Sequence, residues 1–401
     1  PWHKPCNRFN IALNCMLSII NWSFYVLKEY RSDKIGLILS GGGARAAYQV
    51  GVLRGIASIL PRETANPFDI ISGTSAGALN AAALACHAQR LRTGVRLLEY
   101  VWKNIHSDHV YQPQSGNLLG GASTLLLTMM SGKEPGNALS LLDNTPLNEL
   151  LSRVLKLDKI QRNIDIGLLD ALSITASAYS TGESVSFYQS VQGISDWEGP
   201  HRIGRRSKIT LQHLMASSAI PILFPATKIG DQYYGDGAVR QLAPTSTALH
   251  LGADRILAIG VSGNSTKSPL EDPMETAPSL SQIMGHILNS AFVDTLENDL
   301  QSLRHMNEIL PLVPDKVKEK SGIVTKPIEL LEISPSEELN ILADQHYDEL
   351  PKRVSKYVKD SSSGTLLSLI LFEQGFCTAL WELGVKDALA KSDEIAHFFR
   401  S

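Results

Sequence analysis

The sequence holds 401 residues, 43% of them hydrophobic and 6% aromatic, with a formal net charge of −3. That is enough apolar material for a sizeable core, and the length suggests roughly two or three domains or one domain with an extension. The near-neutral balance excludes the electrostatic footprint of a nucleic-acid binder, and it supplies neither an acidic tail nor a polybasic membrane anchor.

The chain begins at Pro1 rather than methionine, which fits a processed or incomplete form. Residues 11–27 are mostly apolar and follow Lys4 and Arg8, as in a signal peptide, but no A-x-A cleavage site follows. The run is short for a membrane span and is interrupted by Asn14, Ser18 and Asn21. Those three fall at i, i+4 and i+7, one narrow polar stripe on a helix. An amphipathic helix at a membrane interface and a helix packed on the protein both fit, so residues 1–30 are set apart as a segment of open role. The cysteines Cys6, Cys15, Cys86 and Cys377 form no C-x-x-C pair and no zinc-ligand spacing. They read as free thiols in a reducing, cytoplasmic compartment, with membrane association left open by the first segment.

From Lys34 the pattern becomes regular. Residues 35–39 form an apolar run ending in Ser40 and three glycines, a buried strand feeding a turn. Residues 46–60 read as a helix closed by Pro61, residues 68–71 as a second strand, and residues 76–90 as an alanine-rich helix. This order argues for parallel strands covered by helices. Residues 112–136 form an insertion around the apolar patch Leu118 to Met130, either a lid or a packed surface helix. Strand-like runs at 173–179 and 185–189, separated by Ser180, Thr181 and Gly182, read as a hairpin. A helix end at 213–218 is broken at Ile220-Pro221, strand and turn follow at 229–234, and 255–261 is a clear apolar strand. After Gly263 the remainder is mostly helical, over 280–310 and 366–389, with one further strand at 328–333.

Three glycine-centred motifs stand out. Gly73-Thr74-Ser75-Ala76-Gly77 is a G-x-S-x-G at a strand-to-helix junction. A sharp elbow there leaves no room for bulky neighbours and lifts the Ser75 hydroxyl towards the positive end of the next helix. The alternative is a tight turn with a capping serine. Gly41-Gly42-Gly43-Ala44-Arg45-Ala46 follows the first strand. Its backbone N–H groups can converge on a phosphate or an oxyanion. It is also a degenerate dinucleotide fingerprint, which would make the protein a nucleotide-binding oxidoreductase. That reading wants an acidic residue closing a second strand about 20 residues on. Glu63 has the spacing but follows Pro61-Arg62. The third motif is Gly235-Asp236-Gly237-Ala238. Alone, an aspartate between glycines reads as a turn former. A serine triad would need a histidine after the acid, and His250, His286, His305 and His346 qualify by position, but none lies in a loop of catalytic character.

Taken together, the three motifs resemble those of the patatin-like phospholipases, including the bacterial-type lipid acyl hydrolases. Gly41 to Ala46 is similar to the family's G-G-G-x-R/K-G turn, Gly73 to Gly77 to its G-x-S-x-G elbow, and Asp236 to Ala238 to its D-G-A/G motif. The flanking text agrees, with AAYQVGVL at 46–53 and ASSAIPILFP at 216–225. The resemblance runs from Ile35 to Val261 and departs only at Ala46, where the family has glycine. It implies a three-layer α/β fold with a mainly parallel central sheet flanked by helices, over residues 31–262, and a mostly helical region over 263–401. It further implies a Ser75–Asp236 dyad without catalytic histidine, and an oxyanion hole at Gly41, Gly42 and Gly43. Gly73, Gly77 and Gly237 take motif positions, and Arg45 orients the loop or meets a lipid phosphate. The implied activity is lipid-acyl ester hydrolysis, with no metal or cofactor and a lipid or ester as substrate. A catalytically weak regulatory or scaffolding protein on the same fold is the alternative. Peripheral membrane contact and oligomeric state stay open.

Overall fold

The computed structural model describes residues 33–113, 140–263, 280–314, 316–318, 326–352, 354–355 and 364–400. The chain divides into two units, Pro1–Lys34 and Ile35–Ser401. The apolar run over residues 11–27 and the patch Leu118 to Met130 lie outside the described residues.

The second unit is built on one sheet. In chain order its strands are β1 (Ile35–Leu39) and β2 (Ile70–Thr74), then, after a two-stranded ladder of β3 (Gln112–Pro113) and β4 (Leu142–Asp143), β5 (Ala171–Ala178) and β6 (Ser184–Ser190). There follow β7 (Trp197–Gly199), β8 (Arg202–Arg206), β9 (Thr227–Ile229), β10 (Gln232–Asp236), β11 (Arg255–Ile259) and β12 (Glu329–Ile333). The spatial order is β12-β11-β1-β2-β5-β6-β8-β7. Pairing is parallel from β12 to β5, then antiparallel between β5 and β6. The sheet is therefore mixed, with a parallel half that carries the glycine turn and the serine elbow. The β9–β10 hairpin pairs with the far end of β5, setting Asp236 opposite Ala176.

The parallel half is covered on both faces, which is why its strands read as unbroken apolar runs. Side chains alternate across it: Ile35, Leu37 and Leu39 join one core, Ile38 the other. The larger core holds α1 (Ala46–Ile59), α2 (Ala76–Cys86), α3 (Leu91–Lys103), α4 (Thr145–Val154), α5 (Asp158–Asp165) and α6 (Leu211–Ser217). The smaller one includes α7 (Pro244–His250), at Ala248. The remaining helices are α8 (Leu280–Asn289), α9 (Thr295–Ile309), α10 (Leu339–Gln345), α11 (Gly364–Ile370), α12 (Gln374–Ala390) and α13 (Ser392–Arg400).

The region after residue 262, set outside the motif-bearing core by the sequence with its role left open, belongs to the same compact unit. Its strand β12 extends the sheet in parallel register with β11, Ile333 beside Ile259. Its helix α12 crosses α1 so closely that a Cβ on Gly51 would lie 2.0 Å from the Trp381 carbonyl oxygen, and one on Gly384 2.2 Å from that of Tyr48. The helical run expected over 366–389 is two helices. Between them the chain is extended at Glu373, whose carboxylate accepts the Ser107 N–H at 3.1 Å and meets His106 at 3.0 Å. That anchorage holds the chain out of helical geometry. The run expected over 280–310 is likewise divided, by a π-helical turn at Ser290–Asp294.

Candidate active site

Ser75 joins β2 to α2 with φ 54° and ψ −130°. A side chain at positive φ is strained and persists only where its surroundings hold it. Here the Ser75 N–H donates to Ser217 Oγ at 2.9 Å, and Ser217 Oγ donates onward to the Thr175 carbonyl at 2.6 Å. The flanking glycines allow the tight approach. A Cβ on Gly77 would lie 2.3 Å from the Leu39 carbonyl oxygen, and one on Gly73 2.5 Å from that of Gly77. The elbow therefore rests directly on the end of β1, beside the glycine turn.

Ser75 Oγ donates to Asp236 Oδ2 at 2.6 Å across a sequence separation of 161 residues. Asp236 ends β10; its N–H donates to the Ala219 carbonyl at 2.8 Å, and its Oδ1 accepts the Ala238 N–H at 2.9 Å. The 3₁₀ turn Gly237–Val239 that supplies this donor needs glycine first, because a Cβ on Gly237 would lie 2.2 Å from the Thr175 carbonyl oxygen. Asp236 is fully buried. Burial pushes its carboxyl up to about 7, against the opposing pull of the Ser75 and Ala238 hydrogen bonds.

The glycine turn lies against the same serine, with a Cβ on Gly41 3.1 Å from that of Ser75. Gly43 has φ 54°, and a Cβ there would meet the Leu369 carbonyl oxygen of α11 at 2.0 Å. Gly42 is hemmed in by Val261. Among the described residues, no protein acceptor takes the N–H groups of Gly41, Gly42 or Gly43.

Of the two roles weighed for Arg45, orienting the loop or meeting a lipid phosphate, its contacts are those of the first. Its guanidinium is buried, with Nε donating to Ser368 Oγ at 2.9 Å and a terminal nitrogen to Asn340 Oδ1 at 2.7 Å. Burial lowers its pKa to about 10, outweighing the attraction of Glu338. The motif arginine thus ties the glycine turn to α10 and α11. Among the described residues no histidine hydrogen-bonds Ser75 or Asp236. His250 is exposed and bonded to Ser246, His346 pairs with Glu349, and His286 and His305 are exposed. Glu63 pairs with Arg90 at the surface, away from any strand end. No group of three or more His, Cys, Asp or Glu among the described residues could hold a metal ion.

A cavity of ≈ 70 Å³ opens at Ser75 and Gly43 and is walled almost entirely by carbon. One face of α2 lines it through Ala76, Leu79 and Ala83, an i, i+3, i+7 spacing. Leu98 and Trp102 of α3 and Leu151 of α4 close it from the other side. The sequence reading assigned no role to α3 or α4. The signal was the apolar spacing of Val95, Leu98 and Trp102 and of Leu147, Leu151 and Val154. Among the described residues, no helix is long and apolar enough to cross a membrane.

The family profile described as "Patatin-like phospholipase" matches residues 37–249. The chain is 27% identical over 221 residues to a "cGAMP-activated phospholipase" of Pseudomonas aeruginosa, covering 53% of this chain and 55% of that protein. It is 33% identical over 93 residues to the "Uncharacterized protein YjjU" of Escherichia coli, 23% of this chain and 25% of that one. A "Patatin-like phospholipase domain-containing protein ZK370.4" of Caenorhabditis elegans is 56% identical over 47 residues, 12% of this chain and 3% of its own length. The chain thus spans no more than about half the length of these curated relatives. The solved structure of VipD from Legionella pneumophila aligns at TM-score 0.36 and 14% identity, over 91% of this chain and 67% of that one. The family match spans more than half of the sequence and contains all three glycine motifs, and the chain belongs to the patatin-like phospholipase family.

Proposed function

We propose that the protein is a serine lipid-acyl hydrolase that cleaves carboxylic esters of phospholipids or related lipids through a Ser75–Asp236 dyad. The observation that carries this reading is the 2.6 Å hydrogen bond from Ser75 Oγ to the buried Asp236 carboxylate, at the mouth of an apolar cavity. A carboxyl near neutrality is matched to proton transfer at physiological pH, which a surface aspartate is not. Asp236 takes the Ser75 proton as the oxygen attacks the ester carbonyl carbon. The carbonyl oxygen becomes the tetrahedral oxyanion, facing the N–H groups of Gly41 to Gly43. Collapse breaks the ester bond, and the leaving alkoxide takes the proton back from Asp236. Water then attacks the acyl-enzyme with Asp236 again as base. The cavity receives the acyl chain, whose transfer from water favours an apolar wall.

Purified Ser75→Ala and Asp236→Asn are assayed on a panel of phospholipid vesicles, lysophospholipids, glycerides and short-chain esters, with circular dichroism to verify the fold. Each loses about a thousandfold or more of the hydrolytic rate. Full turnover in either folded variant defeats the dyad. A fluorophosphonate probe that fails to label Ser75 in the wild type favours the scaffolding alternative.

A further inference from the structure

A second cavity, of ≈ 250 Å³, lies outside the site described above. Its wall carries Arg202, Arg240 and His201, and among the described residues no aspartate or glutamate lines it. Asp299, which accepts the Thr245 N–H at 2.8 Å, is coupled electrostatically to Arg202. Guanidinium groups and hydroxyls lining one cavity are the donors that suit the oxygens of a phosphate. The hydroxyls are those of Ser186 and Thr247, and the Gln241 amide also lines the cavity; all three residues are buried. Trp197 forms a stiff side, stacked on Tyr188 and on His250 with ring centroids 5.0 Å apart in each case.

The floor of this cavity is wired to the serine elbow. Thr247 Oγ1 and Ser186 Oγ are 2.9 Å apart, and Ser186 Oγ lies 3.2 Å from Thr175 Oγ1. Gln241 Nε2 donates to the same Thr175 hydroxyl at 3.2 Å, while its Oε1 accepts from Thr74 Oγ1 at 2.5 Å. Thr74 is the residue before Ser75, and the Thr175 carbonyl accepts from the Ser217 hydroxyl that holds the Ser75 N–H. Along the chain the link is shorter still. The N–H groups of Arg240 and Gln241 both donate to the Gly237 carbonyl, in the turn whose Ala238 N–H fixes Asp236.

We propose that this cavity binds a small phosphate-bearing ligand, and that its occupancy adjusts the rate at which Ser75 turns over. A ligand clamped between Arg202 and Arg240 bears on the turn after Asp236 and on the hydroxyl chain beneath Thr74. Coupling of ordinary size would change turnover by about five- to a hundredfold. The regulatory half rests on the hydrolase reading; the binding half does not.

The test uses the full chain with pyrophosphate as probe. Calorimetric titration compares wild type, Ser75→Ala, the double variant Arg202→Ala/Arg240→Ala, and Ser246→Asp, which sets a carboxylate on the cavity wall. Wild type and Ser75→Ala bind alike. The double variant and Ser246→Asp bind about tenfold more weakly or worse, a loss of at least about 1.4 kcal/mol each. Thermal melts verify the folds, and Ser246→Asp stands alone if the double variant does not fold. No binding by wild type at millimolar pyrophosphate, or equal binding by both cavity variants, overturns the site. Turnover of a short-chain ester is then followed with and without pyrophosphate. It changes on adding pyrophosphate in wild type and not in the double variant, each compared with its own rate without probe. Binding without a change in turnover overturns the regulatory half. A wild type with no Ser75-dependent turnover sinks the hydrolase reading instead, while the titration still decides the site.

Discussion

The Ser217 hydroxyl accepts the backbone N–H of Ser75 at 2.9 Å and so holds the elbow at positive φ. Both groups are buried, and the same hydroxyl donates to the Thr175 carbonyl of β5. Ser217→Ala therefore leaves a donor and an acceptor without partners inside the core. The expected cost is about 1–3 kcal/mol of stability for each buried group left unsatisfied. The elbow also loses the bond that opposes its backbone strain, so kcat should fall more than KM changes. Urea denaturation and steady-state kinetics check the two effects together. A variant as stable as wild type would remove Ser217 from its holding role.

In the proposed mechanism Asp236 must be ionised to accept the serine proton. With its carboxyl pushed up to about 7, kcat/KM should rise with pH, about tenfold per unit below that point, and level off above it. The stability effect has the opposite sense. The folded pKa lies above the ordinary value of 3.8, so the folded state holds the proton more tightly. The contribution of Asp236 to stability is fully present below 3.8 and is lost as pH rises through about 7. Asp236→Asn does not titrate, so it should gain on wild type across that window, by at most roughly 4 kcal/mol. Denaturant midpoints at about pH 5 and about pH 8 measure the difference. A constant gap between the two proteins would place the Asp236 titration elsewhere.

Much of the parallel half could be read from the chain because β1, β2 and β11 are short apolar runs ending in small residues, buried on both faces. Ser75 was legible for a local reason: its elbow needs glycines at fixed offsets. Asp236 was not, since its partner lies 161 residues away and its own neighbourhood is that of a turn. It entered through the three-motif family resemblance and the lack of a convincing histidine. Ser217 stood inside the quoted ASSAIPILFP stretch, but nothing local marks a serine that will hold another residue's N–H. The direction of Arg45 was hidden for a similar reason. Its acceptors, Ser368 and Asn340, belong to a region whose helices were visible and whose docking was not.

Arg45 distinguishes a strut from a substrate contact. Arg45→Met removes the donors to Ser368 and Asn340 while keeping an apolar side chain in the space. We expect a stability loss of roughly 2–5 kcal/mol, the range for buried hydrogen-bonded groups deprived of a partner. Any loss of activity should be equal for phospholipids and for uncharged glycerides, because the guanidinium lies buried among protein acceptors. A selective rise in KM for the phospholipid alone would restore the phosphate-binding role.

If the apolar cavity receives the acyl chain, as proposed, it gives that chain a measurable depth. Ala83 lies seven residues beyond Ala76 on the same face of α2, about 10 Å further along the helix axis at 1.5 Å per residue. Its methyl faces free volume, so a larger side chain can enter the cavity with less strain than in a close-packed core. Ala83→Leu should shorten the chain that fits. Hydrolysis of long acyl esters should fall by about tenfold or more, while short-chain esters, which stop before Ala83, keep their rate. The comparison uses a homologous series of esters with one leaving group, so that only chain length varies. Equal losses across the series would mean that the acyl chain lies elsewhere than along α2.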